Sequence, residues 1–137
     1  MKRFLLILFP LAFGCEQYSE SIAPSLEIKL DFGGNENVAR SCEYHDNILI
    51  CGYQDDQDQG FIAHINQQGN VLNFTNLGLN QREPTGVCSV ADGGFIVFGK
   101  DNSTSNTQAF VAKYNSGFGQ VWARETGGNQ ADFFWDA

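Results

Sequence analysis

A unit of short apolar strands separated by Gly- and Asn-containing turns occurs twice in this chain. It constrains the fold more than any other feature. The clearer copy runs from Asp92 to Gly128, DGGFIVFGKDNSTSNTQAFVAKYNSGFGQVWARETGG, and reads as three short strands. Much of it occurs once before, from about Asp46 to Leu79. Phe95-Ile96-Val97-Phe98-Gly99 corresponds to Leu49-Ile50-Cys51-Gly52 and its lead-in. Phe110-Val111-Ala112-Lys113-Tyr114-Asn115 lies over Phe61-Ile62-Ala63-His64-Ile65-Asn66, and Gly119-Gln120-Val121-Trp122 over Gly69-Asn70-Val71-Leu72. Thr85 to Val90 matches Asn37 to Glu43, which adds a fourth strand to each unit. The end of the unit, Gly127-Gly128-Asn129-Gln130, echoes Gly33-Gly34-Asn35-Glu36 and Gly78-Leu79-Asn80-Gln81, at spacings of about 45 and 49 residues.

Period-two alternation identifies the strands. In Ser25 to Phe32, Leu26, Ile28, Leu30 and Phe32 share one face, with Glu27, Lys29 and Asp31 on the other. This stretch aligns with Val71–Leu77 and Val121–Thr126, so it is predicted to be an outermost strand. With the strands of a unit lettered A to D, the chain reads D, ABCD, ABCD, then the start of another A at Ala131–Ala137 (ADFFWDA). Charged residues make up only 18%, with 15 Gly and 12 Phe, a balance that favours an all-β chain. At 137 residues there is room for one modest domain.

A four-stranded unit repeating at such a spacing has the period of propeller blades, small antiparallel sheets that pack their apolar faces on their neighbours. A small β-sandwich with strands that merely look alike is the alternative; the aligned glycines, aromatics and Asn residues count against it. The runs DGGFIVFG, FVAKYN and GQVWARETGG resemble the repeats of secreted and lipid-anchored bacterial β-propeller proteins. Asp92, Gly93, Gly94, Gly99, Lys113, Asn115, Gly119 and Trp122 carry the resemblance. The earlier unit departs from it, with Asp46-Asn47 for the DGG turn, His64 for the Lys and Leu72 for the Trp. The resemblance implies an all-β fold of antiparallel four-stranded β-propeller blades over residues 25–137. That set is incomplete: one outer strand, two blades and the start of a third. It implies a cell-envelope setting and no particular activity, because propellers host many functions. A propeller needs at least about four blades to close. Either the chain is a fragment of a longer product or several chains assemble a ring. The fragment is the favoured expectation, because an assembling unit should hold whole blades and FFWDA exposes an apolar edge.

The N-terminus reads as an address. Met1-Lys2-Arg3 is basic, Phe4 to Phe13 is apolar, and Gly14-Cys15 precedes the polar Glu16-Gln17-Tyr18-Ser19-Glu20, the order of a secretory signal. Ten residues rise about 15 Å as a helix, too little to span roughly 30 Å of hydrocarbon. Leu11-Ala12-Phe13-Gly14-Cys15 resembles the lipobox of bacterial lipoproteins, although Ala12 stands where Leu is commonest and Phe13 where a small residue is usual. That resemblance implies cleavage after residue 14 and a diacylglyceryl group on the Cys15 thiol. Residues 1–14 are then a signal peptide and 15–24 the lipidated cysteine with a polar tether. An ordinary secretory signal with a chance cysteine is the alternative, and would leave the protein secreted. The formal net charge is −8, or about −10 without Lys2 and Arg3, so the chain is expected to be repelled by nucleic acid phosphates.

Cys42, Cys51 and Cys88 lie within the repeats. If Asp46-Asn47 is a two-residue hairpin turn, Cys42 falls opposite Cys51 within disulfide reach. Two buried thiols are the other reading, and the hairpin register decides between them. Cys88 aligns with Cys42, but Phe98 replaces its partner. No CxxC occurs, and Asp55-Asp56-Gln57-Asp58-Gln59-Gly60 lacks the distal Glu of a calcium loop, so no metal or cofactor is expected. His45 and His64 have no Ser or Cys arrangement suited to nucleophilic catalysis. Glu83, Glu125 and Asp132 show no pairing that implies glycoside hydrolysis, and no catalytic residue is expected. Trp122 and Trp135 could stack on a sugar, although blade aromatics more often pack in cores. The expected function is therefore non-enzymatic: a lipid-anchored cell-envelope module that binds or scaffolds a protein or glycan partner. One rival is a fragment of a propeller hydrolase or quinoprotein. The other is a carbohydrate-binding module assembled from several chains.

Overall fold

The computed structural model describes residues 30–78, 81–132 and 134. Among the described residues the chain is all-β, with eight strands in two four-stranded antiparallel sheets. The first sheet is β1 (Glu36–Tyr44), β2 (Asn47–Gln54), β3 (Gln59–Ile65) and β4 (Val71–Asn76), in that spatial order. The second is β5 (Arg82–Ser89), β6 (Phe95–Asp101), β7 (Gln108–Tyr114) and β8 (Gln120–Thr126). Each sheet is thus a meander of consecutive hairpins, and each corresponds to one copy of the repeat.

The two sheets share their irregularities as well as their strands. The first pairing shifts register at Val38/Arg40 in one sheet and at Pro84/Gly86 in the other. The third pairing shifts at His64/Ile65 and at Lys113/Tyr114. Bulges bend and twist a strand, so two copies with matched bulges curve alike. The turns between the third and fourth strands also match. Asn66 Oδ1 accepts the N–H groups of Gln68 and Asn70 at 3.0 and 2.8 Å, and Asn115 Oδ1 accepts those of Gly117 and Gly119 at 3.0 and 2.9 Å. An Asx side chain that folds back on its own turn is the physical reason for Asn at both positions.

The β1–β2 hairpin corrects one expectation. The loop residues are His45 and Asp46, with φ of 48° and 60°, the left-handed pair of a type I′ turn. Tyr44 therefore faces Asn47, Cys42 faces Leu49, and Cys51 faces Arg40. The expected turn at Asp46-Asn47 would have paired Cys42 with Cys51. Moving the turn by one residue slides the register by two, so the cysteines keep the same face but become diagonal neighbours, typically about 7–8 Å apart. Both thiols are free.

The sheets stack face to face. Leu49, Cys51 and Ile62 of the first sheet share a buried core with Val87, Phe95, Val97, Phe110, Ala112 and Tyr114 of the second. Fully burying a large apolar side chain is worth roughly 1.5–3 kcal/mol, so this seam is the main source of cohesion between the repeats. β5 is the strand of the second sheet that meets β1, β2 and β3. Tyr44 pins the seam: its hydroxyl donates to the Gly93 carbonyl at 2.8 Å, and its ring stands edge-on to Phe95 at 5.7 Å. On the opposite face of the first sheet, Ile50, Phe61, Ala63 and Ile65 form a second core under Leu30 and Phe32. The Phe32 ring lies 5.3 Å from Phe61 and 4.6 Å from Phe74. Most of the expected strand over Ser25–Phe32 lies outside the described residues, and Leu30 to Phe32 pack there without strand pairing. Ala131, Asp132 and Phe134 are likewise outside any strand, and the rest of the expected strand at Ala131–Ala137 is outside the described residues.

Candidate interaction face

Because β2 and β6 are apolar on both sides, each sheet has two packing faces. One carries Ile48, Ile50, Phe61, Ala63 and Ile65 in the first sheet, and Phe95, Val97, Phe110, Ala112 and Tyr114 in the second; we call it the front. The back carries Cys42, Leu49, Cys51 and Ile62 in the first sheet, and Cys88, Ile96, Phe98 and Val111 in the second. The strand pairings place these residues in equivalent register. The internal seam is the back of the first sheet on the front of the second. The stacking is therefore head to tail, and the front of the first sheet packs under Leu30 and Phe32 instead.

The back face of the second sheet is apolar and only partly open, with Phe98 buried. Cys88, Ile96, Phe98, Val111 and Phe134 line a shallow groove of about 230 Å³. Leu49 and Ile62 are fully buried beneath the second sheet, whereas their equivalents Ile96 and Val111 keep partial exposure. Phe134 covers part of the groove, and its carbonyl accepts the Thr85 hydroxyl. Along the outer margin of this sheet Trp122 lies opposite Lys113, whose ammonium pairs with Asp92, and Arg124 lies opposite Val111.

The other residues singled out in the sequence have structural partners. Asp55 accepts from the Asn35 and Asn37 amides, at 3.4 and 2.8 Å, and Asp56 accepts the Asn35 N–H at 3.0 Å. The acidic loop thus buttresses the turn before β1, and Asp58 takes the Tyr53 hydroxyl. Among the described residues no group of three or more His, Cys, Asp or Glu side chains is arranged to hold a metal ion. Glu83 pairs with Lys100 at 2.9 Å, Glu125 with Arg82 at 2.7 Å, and Asp132 accepts the Gly128 N–H at 2.9 Å. These three carboxylates have separate partners. Cys15 and Trp135 lie outside the described residues.

The seam also holds a histidine whose buried setting the sequence did not show. His64 is aligned with Lys113, but its Nε2 is buried with no hydrogen-bond partner. Its ring stands edge-on to Tyr44 at 5.3 Å and stacks on Phe118 at 5.9 Å. Burial, and then the neighbouring His45, push its pKa below the ordinary 6.5, so the neutral imidazole is favoured. Cys51 is sealed in the same core, and burial pushes its thiol up to about 12. Cys42 is half-buried and also raised, first by burial.

No protein-family model matches this chain, and no curated protein sequence does. Among the described residues no helix is long and apolar enough to cross a membrane.

Proposed function

We propose that this chain is a cell-envelope module whose propeller-type repeats act as a non-enzymatic binding scaffold, held to the membrane by lipid on Cys15. The observation that carries the scaffold reading is the head-to-tail stacking of two sheets with matched bulges and matched Asx turns. Stacking of this kind extends one repeat at a time and builds an extended surface on which a partner can dock. Glu83 and Glu125 are held in ion pairs, and Asp132 accepts a turn N–H. The envelope setting rests on the order of basic, apolar and Gly-Cys residues in positions 1–15.

Two measurements test the reading. Labelled fatty acid fed to a bacterial host should enter the wild-type protein and be absent from Cys15→Ser; label that persists in the variant removes the anchor. Affinity purification from envelope fractions should recover a protein or glycan that binds the chain. Recovery of the chain alone, across repeated extractions in mild detergent, removes the scaffold role.

A further inference from the structure

We propose that the back face of the second sheet docks a segment of a partner protein that carries apolar side chains beside carboxylates. This rests on the scaffold reading above and names the surface and the chemistry of its partner. Strand register gives the layout of the face. Across β6, β7 and β8 one row reads Ile96, Lys113 and Trp122, and the next reads Phe98, Val111 and Arg124. The centre of the face is the apolar groove, and its β8 margin is aromatic and basic.

The corresponding face of the first sheet, which the second sheet covers, has a similar centre and a different margin. Its rows read Leu49, His64 and Asn73, then Cys51, Ile62 and Thr75. None of these side chains is a fixed charge, and burial favours the neutral imidazole of His64. In the second sheet Lys113 stands at the place of His64, Trp122 at that of Asn73 and Arg124 at that of Thr75. The two faces therefore share an apolar centre, and only the second adds positive charge and a large aromatic ring along β8. A surface of that kind is complementary to a partner that brings negative charge to the margin.

The charges on this face are unevenly matched. Lys100 pairs with Glu83 at 2.9 Å, and Lys113 pairs with Asp92. Arg124 is exposed and has no carboxylate partner among the described residues; its guanidinium donates only to the Ala123 carbonyl, at 3.1 Å. Trp122, two residues away on the same face, is 36% exposed. Trp and Arg are the side chains most often responsible for affinity at protein interfaces. The groove beside them is lined by Cys88, Ile96, Phe98, Val111 and Phe134, whose side chains offer no strong donor or acceptor. A sugar lying in it would leave hydroxyl groups unpaired, whereas an apolar side chain fits it. The occupant is therefore a protein segment that sets a Leu- or Phe-like side chain in the groove and a carboxylate on Arg124.

The test titrates the full-length chain against identically labelled probe peptides and follows fluorescence anisotropy. The acidic probe has a central Leu-Phe-Leu flanked by Asp and Glu. One control replaces the acidic residues with Lys and Arg, and the other replaces the central three with Ser. The chain carries a net charge of −8, so long-range attraction favours the basic control, and a preference for the acidic probe must be local. Wild type should bind the acidic probe about 5-fold or more tighter than either control. Arg124→Glu and Trp122→Ala should each weaken that binding about 5-fold or more. Both positions are exposed, so the fold tolerates the changes, and Val71→Ala, exposed on the first sheet, should leave binding unchanged. The proposal is overturned if wild type fails to bind the acidic probe, if the basic control binds as tightly, or if Arg124→Glu binds like wild type. Binding of polygalacturonate in place of the acidic probe also overturns it, by making the partner a glycan. The scaffold reading fails separately: an envelope partner recovered equally by wild type and Arg124→Glu keeps that role and moves it off this face.

Discussion

Arg82 donates through Nε to Asp101 Oδ2 at 2.9 Å, across the ends of β5 and β6, and both side chains are nearly buried at 12% and 3% exposure. The guanidinium also reaches Glu125 at 2.7 Å and lies over the Phe110 ring at 5.4 Å. In the first sheet the same two register positions hold Glu36 and Gln54, joined by an amide–carboxylate contact of 3.3 Å. Each repeat closes the far end of its first hairpin with a polar pair, but only the second pair carries opposite charges. Removing one member of a buried ion pair strands the other and costs roughly 3–5 kcal/mol. Glu125 remains for Arg82, so Asp101→Ala is expected to cost about 2–4 kcal/mol in urea unfolding. Burial works against the Asp101 carboxylate, yet Ser103 and Arg82 together hold its pKa below the ordinary 3.8. The ionised pair therefore contributes stability above pH 3.8 that is lost as pH falls through the depressed folded value. Wild type should show this acid-side loss and Asp101→Ala should not; matching acid profiles would remove the pair from the account.

The neutral His64 predicts a second pH effect in a different window. The folded pKa lies below 6.5, so the unfolded chain takes up the proton first. Stability is full above pH 6.5 and falls as the pH drops below it, with a limiting slope of about 1.4 kcal/mol per pH unit for one proton. The groups facing the ring are Leu49 on β2, Asn73 on β4, Tyr44 and His45 from the first hairpin, and Phe118. Burial, and then His45, raise the cost of protonating the ring. Thermal melts of wild type between pH 7.5 and 5.5 should slope more steeply than those of His64→Phe. Equal slopes would mean that another group sets the dependence.

Much of this architecture was legible in the sequence, and the gaps have physical causes. Strand positions followed from alternation and from the repeated Gly and Asn turns, whose backbone needs are local. Hairpin register did not follow, because His, Asp and Asn all tolerate positive φ and the cluster Tyr44-His45-Asp46-Asn47 offers two adjacent turns. A one-residue choice there decided whether Cys42 faced Cys51 or Leu49. The start of β5 was also obscured: Pro84 argues against a strand, and only the bulge at Pro84/Gly86 accommodates it. Arg82 was thereby left outside the expected strand, and its pairing with Asp101 went unseen. The head-to-tail order of the faces was hidden too, since β2 and β6 are apolar on both sides and periodicity cannot say which side meets a neighbour.

Two glycines at equivalent register test the close approach of the first two strands in each sheet. A Cβ on Gly52 would lie 2.2 Å from the Asn37 carbonyl oxygen and 2.7 Å from Phe61 Cζ. On Gly99 it would lie 2.2 Å from the Glu83 carbonyl oxygen and 2.8 Å from Pro84 Cα. Backbone stands in the way in both cases, so relief requires the strands to part beside the bulge. Gly52→Ala and Gly99→Ala should each cost at least the roughly 1–3 kcal/mol of an overpacked core, measured by urea unfolding. A Gly99→Ala protein as stable as wild type would mean that the second sheet opens there without penalty.

The cysteines give the most direct check of the hairpin register. Cys51 is fully buried, faces Arg40, and has its thiol pushed up to about 12, chiefly by burial. The thiolate is the reactive form, so at neutral pH Cys51 should resist alkylation until the protein unfolds. Cys42 and Cys88 are only half-buried and should be labelled sooner by a small maleimide in the native state. Non-reducing peptide mapping after denaturation should then recover Cys51 as a free, late-labelled thiol. Recovery of a Cys42–Cys51 cross-linked peptide would instead place the turn at Asp46-Asn47, slide β1 by two residues against β2, and move Leu49 away from its position opposite Cys42.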